Sequence, residues 1–165
     1  MLAYTYRLDT GIPFDLEEIK ELRERKIKVL WCQLAFLFFE KGRALQLKYW
    51  PGDLAMKDGY SSFGIADIKQ LANQTNQTID LDGLCILRVD LTDHVKNFVL
   101  HNIHKSEGRL SPFFHFEVLD EAGESLCTSQ DFGSAILMAL TVSDMRLLVA
   151  DGFDLNFLIS LPESG

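Results

Sequence analysis

The chain has 165 residues, enough for one domain with an ordinary core and short for two. Hydrophobic residues at 47% and charged residues at 24% match the balance of globular chains, which sets aside disordered, collagen-like and membrane-spanning classes. Sixteen Lys and Arg against 24 Asp and Glu leave a formal charge of -8, the wrong sign for tracking a phosphate backbone. The expected partner is therefore a basic protein and not a nucleic acid.

The opening, Met1 to Arg7, has no basic stretch followed by an apolar run, so no secretory signal is read there. Cys32, Cys85 and Cys127 are odd in number and widely spaced, which suits reduced thiols in the cytoplasm better than a disulfide framework. Asp15 with Glu18 forms a capping box, and Phe14 can staple onto Ile19, so a helix is expected from Leu16. Residues 27–39 are apolar on both alternating sets, and periodicity alone does not separate a strand from a buried helix. The residues that follow favour a strand: a turn at Lys41-Gly42 pairs Glu40 with Arg43 and sets Leu34, Phe36 and Phe38 beside Leu45, Leu47 and Tyr49. The competing reading is one helix from Leu16 to Lys41, stopped by Gly42.

Pro51-Gly52-Asp53 ends the second strand, and a turn-rich stretch leads to a short helix around Ile65, Ile68 and Leu71. The tandem Asn-x-Thr triplets of residues 73–78 read as a polar linker. Residues 84–91 alternate as a half-buried strand with Cys85 in the apolar set. Residues 113–119 and 125–129 form a hairpin; with Gly123 left-handed, Val118 faces Leu126 and Phe116 faces Thr128. Thr141 or Ser143 caps a helix that Gly152 stops, and residues 155–161 make a last strand. Hairpins and runs without strict βαβ alternation indicate a single α+β domain spanning 1–165, with a mainly antiparallel sheet and two to four helices packed on it.

Two constellations carry candidate chemistry. His94, His101, His104 and His115 fall within 22 residues, and a helix over 92–104 would place the first three on one face. His101 and His104 are the candidate metal ligands, although His94 lies two turns away and no H-E-x-x-H occurs, so neither a metal nor a cofactor is the favoured expectation. On the second hairpin, the register above puts His115, Glu117 and Cys127 on one face, the residue types of an imidazole-activated thiol. Asp131-Phe132-Gly133 matches the protein-kinase metal triplet only by coincidence, because the companion motifs are missing.

The favoured reading is a cytoplasmic protein-binding module, exemplified by small acidic inhibitors of the immunity type, with Trp50, Tyr60, Glu117 and Asp120 at the contact surface. The alternatives are a metal-dependent or thiol enzyme built on the His94–His115 cluster and Cys127, and a structural subunit or homodimer held by an aromatic hairpin face.

Overall fold

The computed structural model describes residues 3–11, 17–56 and 60–163, with the side chains of Glu17 and Glu18 left out. The capping box and staple around Phe14, Asp15, Leu16 and Glu18 fall outside what is described. Among the described residues eight strands form one antiparallel sheet: β1 (Tyr6–Leu8), β2 (Ala44–Tyr49), β3 (Thr75–Ile79), β4 (Cys85–Asp90), β5 (His115–Leu119), β6 (Ser125–Gln130), β7 (Ala135–Met138) and β8 (Leu158–Ser160). Their spatial order is β3-β4-β2-β5-β6-β7-β1-β8. The helices are α1 (Glu17–Lys41), α2 (Ile65–Leu71), α3 (Asp93–Lys105) and α4 (Val142–Ala150). This is the expected α+β class with a purely antiparallel sheet. Among the described residues no helix is long and apolar enough to cross a membrane.

The strand alternation positions everything else. Leu45, Leu47 and Tyr49 of β2 align with Val89, Leu87 and Cys85 of β4, while Leu45 and Leu47 align with Val118 and Phe116 of β5. Cys127 and Ser129 of β6, then Met138 and Ile136 of β7, continue this face. All are buried, and they share one core with residues of all four helices, including Trp31, Phe38, Val99 and Leu148. The ring of Phe116 is at the centre, with centroids 6.1 Å from Trp31, Phe39 and Phe113. Burying several large rings together contributes several kcal/mol at about 25 cal/mol per Å² of apolar surface.

Residues 27–39 are helical, which corrects the expected strand and its Lys41-Gly42 hairpin. Ile27, Leu30, Trp31, Leu34, Ala35, Phe38 and Phe39 are buried at the i, i+3, i+4, i+7 spacing of one helix face. The period is hidden in the sequence because Val29, Cys32, Phe36 and Leu37 fill the other side with apolar residues too. Gly42 follows the helix because it is closely packed: a Cβ there would collide with Val118 Cγ1 and crowd Leu91. Its N–H donates to the Phe38 carbonyl at 2.8 Å.

A second correction concerns residues 73–78. Thr75–Ile79 is the edge strand β3, exposed at every position, so no buried face imprints a period-two pattern on it. Two turns share one construction. Asp80 and Asp120 each take the N–H four residues ahead (Leu84, Glu124) on a carboxylate oxygen at 2.9 Å, and Gly83 and Gly123 are left-handed with φ of 86° and 82°. Gly123 thus behaves as expected, but an irregularity between Val118 and Leu119 slips the hairpin register by one: Val118 faces Cys127 and Phe116 faces Ser129. Thr141 caps α4 in a reciprocal box with Asp144, whose carboxylate also accepts Lys41 Nζ at 2.7 Å and so ties α4 to α1.

Candidate functional site

The sheet face opposite the helices carries a polar network. Lys48 of β2 and His115 of β5 are register partners, and Glu117 follows His115 on the same side. Glu117 Oε1 lies 3.2 Å from His115 Nε2 and 3.6 Å from Lys48 Nζ. The His115 hydrogen bond and the Lys48 ammonium hold the Glu117 carboxyl below the usual range, against the opposing push of burial. Beside it the Tyr4 and Ser125 hydroxyls are 2.6 Å apart, and a depression of about 150 Å³ is lined by Tyr4, Gln46, Arg88, Glu117 and Ser125.

Cys127 does not join this group. The one-residue slip turns it to the core face between Val118 and Met138, where it is 1% exposed. Burial pushes its thiol far above the ordinary range, and the charge of Glu117 adds to that, so the nucleophile expected beside His115 and Glu117 is absent from their face. What remains is a carboxylate paired with a lysine and hydrogen-bonded to an imidazole, without a thiol on the same face.

The histidines are also divided. Thr92 caps α3 by accepting the Val95 N–H at 3.1 Å, and Val95, Val99 and Ile103 turn into the core. That orientation leaves His94, His101 and His104 exposed on the far side of α3, with the helical layer and the sheet between them and His115. Among the described residues no group of three or more His, Cys, Asp or Glu is arranged to hold a metal ion.

A different surface gathers at the end of β2. The backbone at Trp50 stays extended (φ -84°, ψ 126°), which keeps its side chain on the Lys48 side of the sheet. Trp50 is 43% exposed and Tyr60 45%, with Leu54 and Met56 at 54% between them. The backbone carrying them is tied down from within. Asp53 Oδ2 accepts the Ser61 N–H at 3.1 Å and the Ser61 hydroxyl, the Ser61 Oγ accepts the Trp50 N–H at 2.8 Å, and the Ser62 hydroxyl donates to the Asp53 carbonyl at 2.8 Å. Trp50 and Tyr60 are thus brought to one clasped loop. Glu117 lies part-way along β5, and Asp120 is at the opposite end of that strand, its carboxylate engaged by the Glu124 N–H in the turn. Asp120 is therefore a turn residue separated from the rings by the length of β5. Leu54 and Met56 were missed by sequence reasoning; two large apolar residues in a Pro- and Gly-rich loop were the available signal.

No protein-family model matches the chain, and no curated protein or solved structure matches it either, so its function is argued from these side chains.

Proposed function

We propose that the chain is a protein-binding module that engages a basic protein through the clasped loop of Trp50, Leu54, Met56 and Tyr60. The carrying observation is that four large apolar side chains stand exposed on the segments 50–56 and 60–62, which Asp53, Ser61 and Ser62 tie to one another by hydrogen bonds. Trp and Tyr are the residues on which interface energy concentrates, and a loop already held in shape loses less entropy on docking than a mobile one. The charge of -8 supplies steering toward a basic surface, and it makes association sensitive to salt. Size and charge together suit a small acidic inhibitor of the immunity type. The thiol form of the enzyme alternative is disfavoured because Cys127 is buried away from His115 and Glu117.

The test is a matched capture. Immobilised wild type and a Trp50→Ala/Tyr60→Ala variant, both checked for native unfolding behaviour, are offered the same native lysate at low and raised salt. A basic protein held by wild type, weakened by salt and lost from the variant is the expected result. Equal recovery on both proteins, or recovery on neither, overturns the reading.

A further inference from the structure

The outward side of α1 is as unusual as its buried side is regular. Leu22, Val29 and Phe36 recur every seven residues and are 66%, 60% and 59% exposed. At 100° per residue, Leu22, Arg25, Val29, Phe36 and Glu40 fall within an arc of about 60° on the solvent side. Half-buried Cys32 widens the apolar centre. Two adjoining depressions of about 440 and 480 Å³ run along this side and share Lys28 and Val29; the second is rimmed by His104 of α3 and by Asp151 beyond α4. A helix of a globular core has no packing reason to repeat large apolar residues at seven-residue spacing on its solvent face.

We infer that this stripe is an interface for a second copy of the same chain, formed by two α1 helices packed antiparallel about a two-fold axis between Cys32 and Gln33. The charges select this arrangement. Val29 and Phe36 are equidistant from that axis, at roughly 5 Å along the helix, and Arg25 and Glu40 are equidistant at roughly 11 Å. One two-fold therefore sets Val29 of each copy on Phe36 of the other and, at both ends of the apolar centre, Arg25 of one copy against Glu40 of the other. A parallel pair in register would oppose Arg25 to Arg25 and Glu40 to Glu40. The antiparallel arrangement joins an apolar middle to two attractive ends, which the parallel pair does not.

The interface lies on α1 in the helical layer, whereas the Trp50 side chain is on the strand face, so dimerisation through α1 leaves that ring uncovered and presents it twice. The inference does not depend on that loop's function.

Sedimentation equilibrium of the full chain over tens to hundreds of micromolar reads the result directly. Wild type is expected to associate to a dimer. Phe36→Glu, at an exposed position, is expected to be monomeric, with a thermal transition matching that of wild type at a dilution where wild type is also monomeric. Arg25→Glu and Glu40→Arg are each expected to weaken the dimer by about tenfold or more, and the double exchange Arg25→Glu/Glu40→Arg to restore it to within about threefold of wild type. A wild type monomeric throughout the range, a dimer that survives Phe36→Glu, or single and double charge variants that weaken it alike would each overturn the inference.

Discussion

Replacing Asp53 by Ala tests whether the ring-bearing loop is held in shape as the structure indicates. The change removes the acceptor of the Ser61 N–H and of the Ser61 hydroxyl, and Ser61 is 6% exposed, so its donors are not freely repaid by water. Hydrogen bonds to a charged group net about 1.5–3 kcal/mol each. Asp53 is half-exposed, so the pair together is taken as worth about 2 kcal/mol after screening. At 1.4 kcal/mol per factor of ten, local opening becomes about 30-fold more frequent. The readout is amide hydrogen exchange at Trp50, whose N–H is held by Ser61 Oγ, and at Ser61 itself. Protection at both is expected to fall by about 30-fold while Leu87, in the second strand from the sheet edge and fully buried, keeps its own. Unchanged exchange at Trp50 and Ser61, or an equal fall at Leu87, would refute the reasoning.

Three further outcomes follow from the packing. Ser129 is 0% exposed, and its hydroxyl finds no hydrogen-bond partner among the described residues, so Ser129→Ala is expected to stabilise by about 1 kcal/mol and raise Tm by about 2–4 °C. A loss of stability in that variant's thermal melt would contradict this. Gly42→Ala is expected to cost about 1–3 kcal/mol in urea unfolding, because the new methyl collides with Val118 and presses on Leu91 and the Phe38 carbonyl. Burial raises the Asp144 carboxyl, but the Lys41 ammonium with the Thr141 N–H and hydroxyl outweighs it and holds the group below its ordinary value. A depressed folded value means this stabilisation is complete above the ordinary aspartate pKa near 4 and is lost as pH falls through the folded value. The Tm advantage of wild type over Lys41→Met should accordingly shrink below about pH 4, and an advantage constant from pH 7 to pH 2 would contradict it.

The parts of the fold legible in the sequence are those where one face is buried and the other is wet. Leu45, Leu47 and Tyr49 in β2 and Cys85, Leu87 and Val89 in β4 alternate with polar or less buried neighbours, and both strands are as expected. The α4 start, narrowed by sequence to Thr141 or Ser143 and found at Thr141, and its stop at the left-handed Gly152 were also readable, because each rests on chemistry within a few residues. Residues 27–39 were misread because α1 is apolar outside as well as inside, through Val29 and Phe36. The strands β1 and β7, three and four residues long, are too short to show a period, and β3 has no buried side to create one. At the site, Trp50 and Tyr60 stood out locally by residue type. The Lys48–His115–Glu117 network depends on β2 pairing with β5, a contact across some 70 residues that no local pattern encodes. Cys127 was assigned to the wrong face by one irregular position next to Leu119.

The most direct test of the proposed binding surface is a hydrogen-exchange footprint of the chain bound to a partner recovered with it. The account predicts that added protection concentrates between Trp50 and Ser62, with the adjoining Lys48 and His115 strand ends, and leaves the exposed side of α3 around His94 and His101 unchanged. Protection centred on α3, or on the Asp120 turn with the Trp50 loop unaffected, would contradict it.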